Sequence, residues 1–209
     1  AFSNCQKLKT INLPKAIKQI SDDTFYGCLS LDDIIIPENV TTIGNEAFNG
    51  CEKLNKITFP TAVTKVGSGA FGRCKTLSAI FFPDSVNILG SYICSECSAL
   101  KKVRLPAQIT SIPVGMFEKS GLEEIYIPKT VVSVEKKAFN ETNVKKVLFG
   151  GDNSDFDKIT FSLYNDTVKK STVDFVYGCD DDKYIPTAFE INEVEVNVGY
   201  TATVLNEKS

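Results

Sequence analysis

The sequence predicts a solenoid, a right-handed stack of short coils that is mainly β with short helical turns. Seven units of 22–23 residues follow one another between residues 1 and 149. Each unit carries a phenylalanine-like residue, a leucine-like residue five or six positions later, and a proline or glycine six positions after that. Self-similarity at this period is typical of repeat proteins, in which each unit packs only on its neighbours.

Equivalent positions of the seven units form columns. The phenylalanine column is Phe2, Phe25, Phe48, Phe71, Cys94, Phe117 and Phe139. The leucine column is Leu8, Leu31, Leu54, Leu77, Leu100, Leu122 and Val144. The closing column is Pro14, Pro37, Pro60, Pro83, Pro106, Pro128 and Gly150. We expect the first two columns to build one continuous core along the stack.

Residues 24–46 illustrate one unit. A short turn directs Phe25 inward, and a short strand follows that Pro37 ends, because proline has no N–H for a strand ladder. The apolar pair that ends with Ile43 predicts a second short strand on the opposite side of the coil. Gly44 is expected to let the chain turn into the next unit.

Cysteines form a further column of the repeat. Its members are Cys5, Cys28, Cys51, Cys74 and Cys97, followed by Ser120 and Thr142. Because serine and threonine share the slot, we interpret these thiols as small buried packing groups rather than as a disulfide framework. Cys94 and Cys97 have the C-x-x-C spacing of redox and metal sites, but the repeat itself explains both residues.

The two ends of the chain depart from the repeat. The chain begins inside a unit, so we expect the array (residues 1–149) to be truncated at its N-terminus. Residues 150–209 show no repeat and are expected to form a β-rich C-terminal cap, with strands at 172–177 and 193–198. Alternatively, the last twenty residues open a following domain.

Composition excludes several classes of function. A net charge of −3 and a pI near 5.2 provide no basic field for nucleic acid, and no apolar run is long enough for membrane insertion. The chain contains no histidine, P-loop or nucleophile motif. We therefore predict no catalytic residue, no cofactor and no metal site. The acidic segment 152–157 lacks EF-hand spacing and is expected to be a solvated loop.

The unit A-F-x-x-C-x-x-L-x-x-I-x-L-P-x-x-V-x-x-I-G resembles the BspA-like leucine-rich repeats, and residues 47–67 match it almost slot by slot. The resemblance covers residues 1–149. It implies a leucine-rich repeat solenoid that is non-enzymatic and displayed at the surface of a bacterial or protist cell. It also implies an extracellular or cell-surface location and a protein or glycan partner on a host or neighbouring cell.

A candidate partner-binding surface comes from the residues that face outward on the main strands. One outward column reads Thr10, Asp33, Lys56, Ala79, Lys102, Glu124 and Lys146; the next reads Asn12, Ile35, Thr58, Phe81, Arg104, Tyr126 and Leu148. Exposed aromatic and aliphatic side chains beside arginine are typical of binding patches. The candidate contact residues are Ile35, Phe81, Lys102, Arg104 and Tyr126. Alternatively, β-strand preference and cross-strand pairing with Glu123 and Glu124 account for them.

Two functions fit these observations. The first is a non-catalytic adhesion module that presents an extended sheet to a protein or glycan. The second is a structural spacer or self-association unit within a larger surface protein.

Overall fold

A computed structural model describes residues 1–176 as a parallel β-solenoid of about seven turns, which confirms the predicted fold class. The strands are very short, and the two helices have four residues each. In chain order the elements are β1 (Gln19–Ile20), β2 (Thr42–Ile43), β3 (Lys65–Val66), β4 (Ala79–Phe81), β5 (Ile88–Leu89), β6 (Lys102–Arg104), β7 (Ser111–Ile112), β8 (Glu124–Ile127), β9 (Ser133–Val134), β10 (Lys146–Phe149), α1 (Asn153–Phe156), β11 (Thr160–Phe161), α2 (Asp166–Lys169) and β12 (Thr172–Phe175).

Within residues 1–176, three parallel sheets run along the stack. One has the order β12-β10-β8-β6-β4, and the others have the orders β1-β2-β3-β5 and β11-β9-β7. The last two sheets contain the predicted second strand of each unit, so that prediction is confirmed. The first three units differ from the later ones on the main side, because residues 8–13, 31–36 and 54–59 lie outside the strands there.

Stacked aromatic rings form the centre of the core. Phe25, Phe48 and Phe71 are fully buried, and successive ring centroids lie 5.3 Å apart. Cys94 interrupts this stack, and it resumes between Phe117 and Phe139 with centroids 5.4 Å apart. The leucine column from Leu31 to Leu122 is also fully buried. The predicted core columns are therefore confirmed over most of the array.

The cysteine column has a hydrogen-bonding role as well as a packing role. Each thiol from Cys28 to Cys97 is buried and donates to the carbonyl oxygen of the phenylalanine 26 residues earlier. The Sγ–O distances are 3.0, 3.2, 3.3 and 3.0 Å in chain order. Cys5, by contrast, is exposed. We call the four bonds the thiol ladder; they join each turn to the one before it.

Gly44 has a different role from the expected one. Its backbone is not in the left-handed region; instead, a Cβ there would lie 2.4 Å from the backbone nitrogen of Asp22. Gly67 and Gly90 make the same approach, with a Cβ at 2.5 Å and 2.3 Å from the backbone nitrogens of Asn45 and Ser68. Glycine is therefore required here because successive coils come close together.

The ladder of hydrogen bonds continues beyond residue 149. β11 pairs in parallel with β9, and β12 pairs in parallel with β10. Residues 150–176 thus form one further coil whose sequence does not follow the repeat. The expected strand at 172–177 is present as β12. The strand at 193–198 and the later part of the predicted cap lie outside the described residues, and the domain boundary at 149 stays a prediction.

The last coil is tied to the array by a side chain. In the regular turns the phenylalanine N–H donates to a backbone carbonyl, as from Phe71 to Ile93 at 2.9 Å. The N–H of Phe139 instead donates to Oδ1 of Asn165 at 2.9 Å. Asn165 is fully buried, and its amide donates to the carbonyls of Glu135 (2.9 Å) and Ser162 (3.0 Å). This asparagine therefore replaces the backbone of a repeat turn.

Candidate binding surfaces

The main sheet brings three of the predicted contact residues together. Phe81 lies opposite Arg104, and Arg104 lies opposite Tyr126, on the neighbouring strands β4, β6 and β8. Parallel strands are spaced by about 4.8 Å, so these three side chains form one continuous row. We call Phe81, Arg104 and Tyr126 the sheet patch.

Arg104 was predicted to face solvent, but its side chain is buried. The residue is only 7% exposed. Its Nη2 donates to both carboxylate oxygens of Asp84 at 2.9 Å, and its Nη1 donates to the carbonyl of Phe82 at 2.8 Å. Asp84 lies in the loop after β4, three residues beyond the end of the strand. The expectation of an exposed Arg104 is therefore wrong, because charge-assisted hydrogen bonds to Asp84 hold the guanidinium in place between Phe81 and Tyr126 of the neighbouring strands.

The aromatic members of the sheet patch are half-buried. Phe81 and Tyr126 both have intermediate exposure, and a Cβ on Gly150 would lie 2.7 Å from the Tyr126 hydroxyl. Tyr126 therefore extends towards the closing end of the coils, over a position where glycine leaves room. Leu148, the next member of this column, is buried at 6% exposure. The patch thus ends at Tyr126 on this side.

Ile35 lies apart from the sheet patch. It is 78% exposed and lines a separate cavity of about 240 Å³ with Lys56, Thr58 and Phe59. One complete unit separates it from Phe81. The predicted set of contact residues is therefore divided between two places on the same side of the stack.

The basic residues on the main sheet form cross-strand ion pairs. Lys102 Nζ lies 3.8 Å from a carboxylate oxygen of its strand partner Glu124. Glu123 accepts hydrogen bonds from Lys101 and Lys145, and these two bonds lower the pKa of the Glu123 carboxyl. The pairs are partly exposed and thus contribute little stability. The alternative of charge pairing explains Lys102, whereas Arg104 pairs with Asp84 instead.

The surroundings of the C-x-x-C pair disfavour a thiolate at Cys94. Cys94 and Cys97 are both fully buried. Burial, followed by the hydrogen bond and charge of Cys97, raises the pKa of the Cys94 thiol. Since the thiolate is the reactive and metal-binding form, this environment opposes nucleophilic and metal chemistry.

The acidic segment uses its carboxylates locally. Asp152 caps α1 by accepting from the N–H of Asp155 at 3.0 Å, and Asp155 pairs with Lys158 at 2.9 Å. The hydrogen bonds from Ser154 and Asp155 lower the pKa of Asp152. Among residues 1–176, no group of histidine, cysteine or acidic side chains is arranged to hold a metal ion. In the same range, no helix has the length and apolar character needed to cross a bilayer.

A second surface lies along the turns and was missed by the sequence interpretation. It is a cleft of about 640 Å³ that crosses four successive turns. We call it the turn-edge cleft; its lining includes Glu46, Asn49, Gly69, Arg73, Tyr92 and Glu96. One feature of the sequence indicates this cleft. The equivalent position of four successive units carries Glu46, Gly69, Tyr92 and Gly115, so glycine alternates there with large residues.

The backbone of each turn directs side chains into this cleft. Glu46, Gly69 and Tyr92 all have positive φ (51°, 63° and 57°). A second position, four residues later in the turn, also has positive φ: 59° at Arg73 and 58° at Glu96. Residues other than glycine rarely adopt this conformation. Because the hydrogen bonds between coils fix it in every turn, the side chains at both positions are aligned along the stack.

These features define a leucine-rich repeat solenoid with two candidate surfaces. Residues 1–92 and 42–167 match the family described as BspA type leucine-rich repeat region, in six copies. The chain therefore belongs to this family, as the resemblance of its repeat unit indicated. No sequence among the curated proteins matches the chain.

Solved structures of bacterial proteins share the fold. The leucine-rich repeat protein TpLRR of T. pallidum is 28% identical, with 80% of this chain and 85% of that chain covered and a TM-score of 0.63. A leucine-rich repeat protein from Bacteroides ovatus is 23% identical, with coverage of 85% and 57% and a TM-score of 0.60. The pneumococcal vaccine antigen PcpA is 19% identical, with coverage of 83% and 42% and a TM-score of 0.61. The chain thus spans little more than half of the Bacteroides protein and less than half of PcpA.

Proposed function

We propose that this chain is a non-catalytic adhesion module of an extracellular or cell-surface protein, and that its sheet patch contacts a protein partner. The observation that carries the proposal is the in-register row of Phe81, Arg104 and Tyr126 on adjacent strands. Aromatic residues and arginine are enriched where protein interfaces concentrate their binding energy. Lys102 and its partner Glu124 provide a charged border beside this row.

Burial of Arg104 gives it a supporting role in this interface. The guanidinium is fixed by three hydrogen bonds to Asp84 and Phe82, so it adds little ordering cost when a partner binds. It also keeps the backbone of β4 and the loop after it in one arrangement beside the aromatic pair. Phe81 and Tyr126 are then the main contacts, with Ile35 as an outlying contact one unit beyond the row. The surface location follows what the repeat family implies.

The test is capture of extracellular-matrix and surface glycoprotein mixtures on the immobilised chain. We expect the wild-type protein to retain a partner and the Phe81→Ala/Tyr126→Ala variant to lose it while keeping its circular dichroism spectrum. The matched control is Ile88→Ala/Val132→Ala, because these residues are 54% and 56% exposed and lie outside the patch. Ile35→Ala should weaken capture less than the double variant does.

Two results would overturn the proposal. Capture that survives in the folded Phe81→Ala/Tyr126→Ala variant would place the contact elsewhere on the solenoid. Failure of the wild-type chain to retain any partner would instead favour the spacer or self-association role. Sedimentation of the chain at rising concentration then separates these two roles.

A further inference from the structure

We propose that the turn-edge cleft is a carbohydrate-binding site that takes a short neutral oligosaccharide. The cleft lies on the turns, away from the strands that carry the sheet patch, so the inference goes beyond the proposed protein contact. Its volume of about 640 Å³ falls in the range of small-ligand sites. Four turns at the spacing of stacked strands, about 4.8 Å, give it a length of roughly 14 Å. An extended chain of a few sugar rings has this shape.

Tyr92 provides an aromatic surface in the cleft. The residue is 40% exposed, and its ring lies over Gly115, where a Cβ would come 2.1 Å from Cε1. The glycine therefore lets the ring settle against the backbone of the next turn and fixes its position. The face of an aromatic ring is electronegative, and the C–H face of a pyranose presents partial positive charge. Such a ring is a suitable stacking platform for a sugar.

Polar side chains around the ring offer both donors and acceptors. Arg73 Nε donates to Glu96 Oε1 at 3.3 Å, and the amide of Asn49 donates to the carbonyl of Gly69 at 3.3 Å. Glu118 is held by Lys137 and by Asn140, both at 3.2 Å. A sugar hydroxyl is at once a donor and an acceptor, so mixed carboxylate, amide and guanidinium groups match it. Because these side chains are already held in place, little entropy is lost on binding.

The balance of charge favours a neutral sugar over an acidic one. Glu46, Glu96 and Glu118 line the cleft together with the cations Arg73 and Lys119. Glu96 is paired with Arg73, and Glu118 is paired with Lys137 at 3.2 Å, so three cations, Lys119 included, balance the three carboxylates. A sialylated or sulfated glycan would therefore find no net positive field at this place. The same holds for a phosphate group.

Gly69 creates the open space of the cleft. The equivalent position in neighbouring turns carries Glu46 and Tyr92, and all three residues have the same left-handed backbone. A Cβ at Gly69 would lie 3.2 Å from Cγ of Glu46 and 3.4 Å from the amide nitrogen of Asn49. A side chain there would therefore project between these groups and fill the cleft. Since L-residues occupy this position in other turns, the fold can accept one.

The experiment is binding of the chain to an immobilised panel of short neutral oligosaccharides, with sialylated and sulfated oligosaccharides on the same surface. Calorimetry with the best neutral member then gives Kd. We expect Tyr92→Gly and Gly69→Gln each to weaken binding at least about tenfold, or by about 1.4 kcal/mol. Tyr92→Gly suits the left-handed backbone, so it should remain folded. The matched control Tyr164→Gly also removes an exposed tyrosine with positive φ, outside the cleft, and should bind as the wild type does.

Each contrary result overturns the inference. Absence of binding to every neutral oligosaccharide at millimolar concentration would do so, as would stronger binding of the acidic members. Unchanged affinity in a Tyr92→Gly variant that keeps the wild-type spectrum and melting temperature would place any bound sugar elsewhere. These results concern oligosaccharide binding alone, and capture of a protein by the sheet patch is measured separately.

Discussion

The regular coils and the coil formed by residues 150–176 are stacked by similar backbone hydrogen bonds but have different cores. In the regular coils, Phe48 and Phe71 stack nearly parallel, with an interplanar angle of 4°. In the last described coil, Phe156 meets Phe149 at 76° and Phe175 at 82° in an edge-on cluster. The thiol ladder also ends before this coil. The backbone ladder, rather than any one side-chain motif, therefore defines a coil of this solenoid.

The difference has an energetic consequence. A coil inside the array is covered on both sides, whereas Phe156 and Phe175 of the last described coil are only half-buried. In a solenoid, stability is approximately a sum of terms for units and for the contacts between neighbours. Equivalent deletions should therefore cost more in the array than in the last coil.

The largest effect is expected from removing one ring of the array. Phe71 is fully buried and contacts Phe48 and Phe59 with centroids 5.3 and 5.7 Å away. Phe71→Ala should lower the free energy of unfolding by about 3–5 kcal/mol, through lost burial and the cavity that remains. The matched Phe156→Ala should cost no more than about half as much. Urea titrations of both variants measure this, and equal losses would contradict the proposed difference between the coils.

The second effect concerns the contact between the regular coils and the coil formed by residues 150–176. Asn165→Ala removes three hydrogen bonds and leaves the buried N–H of Phe139 without its acceptor, whereas the carbonyl of Glu135 keeps its bond from the N–H of Ala138 at 3.2 Å. The lost bonds and the unsatisfied N–H should together destabilise the last coil by about 2–4 kcal/mol. Hydrogen exchange should then show loss of protection at Phe139 and little change at Phe71. The control is Asn143→Ala at an exposed position, which should leave both amides protected.

The sequence predicted the parts of the fold that repeat and missed those that depend on single contacts. The phenylalanine, leucine and cysteine columns were predictable because the same side chain recurs at each buried slot. The role of Asn165 was not, because a side-chain amide there replaces a backbone group without resembling the repeat. Gly44 was interpreted as a turn residue, whereas the close approach of Asp22 from the preceding coil requires it. That approach exists only in three dimensions.

The candidate surfaces show the same division. Alternation along a strand placed Phe81 and Tyr126 on one side of the sheet, and the register of the parallel strands then made them neighbours of Arg104. Alternation also predicted an exposed Arg104, because it contains no information about Asp84, which lies in the loop after β4. The turn-edge cleft depends on left-handed residues in successive turns. Such backbone angles are difficult to recognise in a sequence when the residues are glutamate, arginine and tyrosine.

The smallest expected effect is the response of the thiol ladder to alkaline pH, which the last coil should not share. Burial, and then the charge of Cys28, raises the pKa of the Cys51 thiol to about 12. In the unfolded chain the thiol has a pKa of about 8.5. Between these two pKa values the folded protein therefore holds a proton that the unfolded chain has lost. The free energy of unfolding should therefore fall as pH rises above about 9, by about 1.4 kcal/mol per pH unit for this thiol.

Comparison with Cys51→Ala isolates this contribution from the lysines and tyrosines that titrate in the same range. The variant should be less stable than the wild type at pH 7, where the thiol is neutral and donates to Phe25 at 3.2 Å. The difference in free energy of unfolding between the two proteins should narrow between pH 9 and pH 10.5. In this range only the wild type has a thiol at position 51 whose deprotonation favours the unfolded chain. Urea titrations at these three pH values measure this difference. A constant difference would mean that the Cys51 thiol titrates at the same pH in the folded and unfolded chain, and the thiol ladder would then lack the dry surroundings that distinguish the array from the last coil.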